Sequence, residues 1–323
     1  MIHVKLTTCA PGWPFLGQTP GSRGIWGDCV FHVDDDTAES DWWVVYGSLP
    51  AAMTVRCPPD NTLFVTAEPP EMHNYNSRFC HQFNHVISCC NMPHPRVVQT
   101  QQALPWHVGV ARTLDGGASA RRGYDELSRT MEFTKKKQLS VITSDKTLIA
   151  GHRQRIAFVR ELQQHFGKDI DVFGRGGRFV EDKWDAIHPY RYHITIENST
   201  CRDYFTEKIA DVFLAGSYPL YFGCSNLAEY FPHASFTSLD IRSPATAIAT
   251  IETAMEQNLS EERQVELAHA RNLVLNRYNL FAFLADFCTT QQAANPIQGT
   301  VTLQPETQFS LRSTLRRLLR RWQ

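Results

Sequence analysis

From residue 140 onward, apolar and polar positions alternate on two length scales. "LSVITS", "DIDVFG", "YHITIE", "YPLYFG" and "SFTSLDI" are short apolar runs of the kind that form buried strands. The stretch "RQRIAFVRELQQHFG" instead sets Ile156, Val159, Leu162 and Phe166 on one helical face, with Gly167 as the stop. A second helix is predicted over "YFTEKIADVFLAG", closed by Gly216, and a short one over "SNLAEYF". Further helices run from "ATAIATIETAMEQN" to "FAFLADFC". Strands alternating with helices imply parallel crossovers and a doubly wound α/β sheet. Upstream, "HVKLT", "CVFHV", "WWVVYG", "TLFVTA" and "HVISC" are candidate strands between loops rich in Pro, Gly and Asp. The pattern predicts an N-terminal Rossmann-like domain over 1–135 and a C-terminal one over 136–290. "TKKKQ" (134–138) is the expected hinge. The polar stretch 289–308 reads as a flexible linker, so that 291–323 comprises linker and tail.

Composition narrows the class. The 323 residues carry a net charge of −1, but five arginines and no acid lie in the final "QFSLRSTLRRLLRRWQ". Without that stretch the chain has 27 basic and 33 acidic residues, or −6, which argues against a nucleic-acid partner. Nine cysteines form no CxxC pair, and "MIHVKLTTCAPGW" lacks an apolar signal core, so reduced thiols and a cytoplasmic setting are expected. No run approaches the ~18 apolar residues of a membrane span. In the tail, Leu311, Leu315, Leu318, Leu319 and Trp322 share a helical face, with Arg312, Arg316, Arg317, Arg320 and Arg321 around the other side. That pattern suits a helix lying on an anionic membrane surface, the alternatives being a basic helix packed on the protein or a disordered tail.

The chemistry concentrates in "ENSTCRDYFTEKIADVFLAG", residues 197–216, which follows a strand directly. In open α/β sheets ligands bind beyond the carboxyl ends of strands. A carboxylate at a helix start can accept from both ribose hydroxyls, and a neighbouring lysine can offset diphosphate charge. Glu207 and Lys208 meet those needs, although an acid in a first helical turn also simply complements the helix dipole. "DDD" (34–36) reads as a solvated turn rather than a metal motif. The 13 histidines show no metal-ligand spacing, and "GRGGR" alone is a weak phosphate loop.

Together, "VFGRGGR", "YRYHITIENSTCRDYFTEKIADVFLAGSYPLYFG" and "YFP" resemble the donor-binding half of glycosyltransferase family 10, the α-1,3/1,4-fucosyltransferases. "VTAEPPEMHNYNSRFCHQFNHVISC" resembles that family's acceptor-side motif. The resemblance covers roughly residues 60–240 and is of the bacterial type. It implies a GT-B fold, two Rossmann-like domains facing across a cleft, and inverting transfer of fucose from GDP-fucose to an acceptor glycan. A GlcNAc residue of an N-acetyllactosamine-type glycan or lipopolysaccharide would be the acceptor.

The resemblance also implies residue roles. Tyr204, Glu207 and Lys208 match donor contacts, and Glu197 and Asn198 match the "EN" closing the donor strand. Arg155 matches an arginine that neutralises the diphosphate, with Arg153 as its rival, and Arg175 belongs to the glycine-rich loop. Glu68 matches the family's proposed base, with Glu71 as the alternative. Partial burial would raise the base's pKa usefully. No metal and no cofactor beyond the donor are expected, because cationic side chains would do the metal's work. A transferase using another sugar nucleotide and a catalytically silent glycan-binding module are the competing readings.

Overall fold

The protein is described by a computed structural model covering residues 1–103, 105–113, 116–129, 134–175, 177–293 and 296–309. The basic tail, Leu311 to Trp322, lies outside the described residues. The chain forms two compact units: Met1–Gln102 with the chain from Phe281 onward, and Ala103–Leu280.

The first unit is built on a sheet in the order Ile25–Trp26, Cys29–Val33, Ile2–Thr8, Trp42–Tyr46, Thr62–Val65, His85–Ser88, Val97–Gln99. Every pairing is parallel except that of the short Ile25–Trp26 strand. Trp42, Trp43, Val44 and Val45 are fully buried, which is why this strand is apolar throughout rather than alternating. Asp34 adopts a positive φ of 49° and accepts from Thr8 N at 2.7 Å and Thr8 Oγ1 at 2.6 Å. "DDD" is thus a turn that closes the end of the first strand.

The second unit holds a five-stranded, wholly parallel sheet. Its order is Ile170–Phe173, Lys137–Ile142, Tyr190–Ile196, Tyr218–Phe222, Thr237–Ser238. In chain order this is 2-1-3-4-5, so the winding reverses between Lys137–Ile142 and Tyr190–Ile196. Ligands of such sheets bind at that switch point. Two Rossmann-like units of this kind make the α/β fold GT-B.

The boundary between units differs from the expected residue 135. Trp106, Val108 and Leu127 are buried in the second unit's core. Asp211 accepts from His107 N at 2.7 Å and Val108 N at 2.9 Å, and Asp182 from Gly109 N at 2.9 Å. The described residues from His107 to Gly109, with the buried Trp106 and Leu127, therefore belong to the unit that follows them. The expected hinge "TKKKQ" is likewise part of that unit. Lys137 and Gln138 begin a strand, and Lys135 Nζ donates to His188 O, Ala215 O and Ser217 Oγ at 2.7, 2.8 and 3.1 Å.

The expected C-terminal boundary at 290 and the flexible linker are also overturned. The helix Leu280–Gln291 packs on the first unit, with Phe281 edge-on to Phe31 at 5.0 Å and Phe287 edge-on to Trp42 at 5.8 Å. Thr300–Leu303 then pairs antiparallel with Met53–Arg56, and Leu303 is buried. Polar composition disguises this strand because only one of its faces meets the core.

Candidate functional site

The switch point of the second unit brings together Ser144, Arg155 and Asn198. The helix Ala150–Phe166 begins there, its N-cap Ile149 supplying no side-chain cap. A Cβ on Gly151 would sit 2.0 Å from Asn198 O, so only glycine lets this helix start so close to the end of the Tyr190–Ile196 strand. One turn on, Arg155 is 4% exposed. Its Nη1 donates to Asn198 Oδ1 and its Nη2 to Ser144 Oγ at 2.7 Å.

Both described acceptors are neutral, and among the described residues no carboxylate lies within ion-pair distance of Arg155. Burial lowers its pKa, opposed by the more distant charge of Glu197. Thr143 Oγ1, His152 Nδ1, Arg155 Nε and Ser199 Oγ are buried without a hydrogen-bond partner among the described residues. All four lie on the segments flanking the switch point. Buried polar atoms are nearly always satisfied, so such a group is a mark of an absent ligand or water.

Arg153 is separated from Arg155 by the same helix. It is exposed, its Nη1 spent on Thr147 O at 3.1 Å. Arg175 is exposed on the loop after Phe173, where the φ of +94° at Gly174 and the 2.1 Å a Cβ there would have from Thr143 O both require glycine.

The second group of charges surrounds the helix Glu207–Leu214. The predicted helix began at Tyr204. Instead, Thr206 caps it, accepting from Lys208 N, and both Tyr204 and Phe205 are buried ahead of it. Glu197 is buried beneath this start. It accepts from Thr206 N at 2.9 Å, from Thr206 Oγ1 at 2.9 and 2.8 Å, and from Lys208 Nζ at 3.0 Å. It is consequently a strut under the helix start, with its oxygens occupied by the chain itself. Lys208 Nζ also donates to Thr206 Oγ1 at 3.0 Å. Burial works against the lysine's charge, but Glu197 and Glu207 outweigh it and hold its pKa above the ordinary value.

Sequence reasoning missed three members of this network. Lys183 reaches Glu207 at 3.3 Å and Asp211 at 2.8 Å, and His107 Nδ1 lies 3.7 Å from Glu207. Against the opposing effect of burial, Lys208 and Lys183 hold the Glu207 carboxyl well below the usual range. Asp211 behaves oppositely, its pKa raised by burial despite Lys183. Burial lowers the His107 pKa well below its ordinary value, against the pull of Glu207. A signal for Lys183 was present: Glu207 and Asp211 are like charges at i,i+4 on a buried face, which requires a cation between them.

In the first unit, Glu68 follows the Thr62–Val65 strand and lines a cavity of about 790 Å³ together with His73, Tyr75, Cys90, Met92 and Glu306. Tyr75 Oη accepts from Ala67 N at 3.0 Å and Glu68 N at 3.3 Å. Glu71 is exposed and does not line this cavity.

Two doubly wound units of this kind have the GT-B fold. Residues 133–263 match the family described as "Glycosyltransferase family 10 (fucosyltransferase) C-term". It is similar to human 4-galactosyl-N-acetylglucosaminide 3-alpha-L-fucosyltransferase 9, at 35% identity over 97 residues, 28% of this chain and 26% of that protein. Similarity to mouse alpha-(1,3)-fucosyltransferase 4 is 29% over 120 residues, 35% of this chain and 27% of that protein. The matches thus span about a quarter of these relatives' length. Two solved structures share the fold at 16% identity: an alpha1,3-fucosyltransferase (TM-score 0.53, 92% of this chain, 90% of that one) and an alpha1,3-fucosyltransferase with GDP (0.51, 91% and 92%). Among the described residues, no helix is long and apolar enough to cross a membrane.

Proposed function

We propose that the protein is an inverting fucosyltransferase that moves L-fucose from GDP-fucose to a hydroxyl of an acceptor glycan. The observation that carries the reading is Arg155, a buried guanidinium held by neutral acceptors at the switch point of a family 10 domain. A diphosphate supplies the counter-charge that this cation lacks among the described residues. Arg155 and Lys208 stabilise the charge that grows on departing GDP, and Glu207 accepts from the ribose hydroxyls. Tyr204, Asn198 and Arg175 complete the donor side, the last from its exposed loop. Glu197 contributes by holding Thr206 and Lys208.

Glu68 is the base. It takes the proton of the acceptor hydroxyl as that oxygen bonds to the fucose anomeric carbon, while the bond from that carbon to the diphosphate oxygen breaks. The donor side belongs to the second unit and the acceptor side to the first. The acceptor is a GlcNAc-containing glycan, of N-acetyllactosamine type or in lipopolysaccharide, linked α-1,3 or α-1,4. With two cations at the leaving group, no divalent metal is required. The tail from Leu311 to Trp322 tethers the protein to the inner, anionic face of a membrane.

Calorimetry with GDP, GMP and guanosine tests the donor reading, and affinity should fall steeply as phosphates are removed. A donor screen should then give transfer from GDP-fucose over other sugar nucleotides, undiminished by EDTA. Equal affinity for guanosine and GDP would overturn the Arg155 assignment, and hydrolysis or transfer of a different donor would overturn the fucose assignment. Loss of activity restored only by a divalent ion would overturn the metal-free reading. Deleting 310–323 should abolish binding to anionic vesicles and leave turnover of a soluble acceptor intact.

A further inference from the structure

The segment that reads as a linker forms one wall of the Glu68 cavity. After Thr300–Leu303, Gln304 and Gln82 exchange two hydrogen bonds, Gln304 N to Gln82 Oε1 at 2.8 Å and Gln82 Nε2 to Gln304 O at 3.0 Å. Glu306 follows. Its Oε1 accepts from Asn76 N at 2.5 Å and its Oε2 lies 2.8 Å from His73 Nε2. The His73 ring meets the Tyr75 ring edge-on, centroids 4.3 Å apart, and Phe64 meets Tyr75 at 5.1 Å on its own edge-on contact. Tyr75 is thereby fixed between two rings, and its hydroxyl is the acceptor for the Ala67 and Glu68 amides.

We infer that Glu306 is a positioning residue: acting through His73 and Tyr75, it fixes the backbone that carries Glu68 and so sets how the acceptor glycan sits in the cavity. The catalytic half of this statement rests on the fucosyltransfer reading, whereas the structural half does not. A carboxylate suits the post because it accepts from a backbone amide with one oxygen and from an imidazole with the other. The loop is anchored at its start by Thr66 N on Ile87 O at 3.0 Å, and the Glu306 contacts to His73 and Asn76 hold its other end; a small displacement of a reacting group costs rate steeply.

The experiment compares full-length Glu306→Ala, Glu306→Gln and Tyr75→Phe with the parent by amide hydrogen exchange and by acceptor kinetics. Exchange at Ala67 and Glu68 should quicken in Tyr75→Phe and in Glu306→Ala, while Glu306→Gln, which can still accept from Asn76 N, remains close to the parent. Acceptor KM should rise at least about tenfold in the first two, with GDP affinity within about twofold of the parent. The double variant Glu306→Ala/Tyr75→Phe should be far less than additive, because both act on one contact. Unchanged exchange at 67–68 in both Glu306→Ala and Tyr75→Phe overturns the inference, as does full additivity. If Glu306→Ala does not fold, Tyr75→Phe and His73→Ala read the same chain of contacts. A parent that transfers no fucose overturns the proposed function while exchange still decides the positioning role. Faster exchange with an unchanged acceptor KM overturns the catalytic half alone.

Discussion

Glu197 and Lys208 are joined at 3.0 Å beneath the start of the helix Glu207–Leu214, and the same carboxylate holds Thr206, the residue that caps it. One buried acid thus sets both the helix's first turn and the position of its lysine. Replacing Glu197 with Gln keeps the shape but removes the counter-charge. Breaking one side of a buried pair typically costs ~3–5 kcal/mol. The expected outcome is a loss of about 3 kcal/mol in urea unfolding, together with weaker GDP binding. Unchanged stability would show that Thr206, rather than the charge, carries the contact.

Arg155 should behave in the opposite way. Its described hydrogen bonds go to neutral oxygens and burial disfavours its charge. Arg155→Met should therefore leave the melting temperature equal or higher while GDP affinity falls by about 1.5–3 kcal/mol, the worth of hydrogen bonds to a charged group. Arg153→Ala, on an exposed turn, should change GDP affinity by less than ~0.5 kcal/mol. Calorimetry on the two variants separates the rival arginines, and a reversed pattern would transfer the role to Arg153.

How far this site could be read in advance depended on how local its signals were. The parallel strands announced themselves as continuous apolar runs because both faces are buried, as "WWVVY" shows. Glu207 and Lys208 were visible because helix starts have a local grammar. The Glu207–Asp211 pair called for a cation, but nothing local named Lys183, which enters the network from 24 positions upstream. The helix start itself was drawn three residues early, because Tyr204 and Phe205 continue an apolar pattern that only the Thr206 cap interrupts. Residues 300–309 were misread for the same physical reason as Lys183: their partners, Met53–Arg56, His73 and Gln82, are more than 200 positions away.

Glu68→Gln tests the base. The amide keeps the side chain's size but cannot take a proton, and loss of a positioned base typically costs about 10²–10⁴-fold in rate. Turnover should fall by at least that lower factor, with GDP affinity within about twofold of the parent. Glu71→Gln should stay active, its side chain being exposed and not part of the cavity lining. Activity in the first variant and loss in the second would make Glu71 the base.

Cys90 gives a pH test of the same cavity. Hydrogen bonds from Cys89 and Ser88 bring its thiol down to about 6 against the effect of burial, whereas burial pushes Cys80 and Cys57 up to about 12. The thiolate is the nucleophile. Alkylation by iodoacetamide should therefore fall as pH drops through about 6 and level off above it, with Cys90 labelled before Cys80 or Cys57. Labelled protein should lose acceptor turnover and keep GDP affinity, since Cys90 lines the cavity with Glu68. Peptide mass spectrometry reads the order of labelling, and labelling of Cys80 first would contradict it.

The strand Thr300–Leu303 and the helix Leu280–Gln291 also impose an order on biosynthesis. The unit Ala103–Leu280 is one uninterrupted length of chain and can complete itself as soon as it leaves the ribosome. The first unit must wait, its Met53–Arg56 strand unpaired and Trp42 and Phe31 lacking Phe287 and Phe281, until residues 281–303 emerge. An unpaired strand edge beside uncovered aromatic rings is a site where nascent chains stick to one another. A premature stop near residue 280 would therefore leave a finished second unit joined to an aggregation-prone first one, lacking both the helix Leu280–Gln291 and the strand Thr300–Leu303.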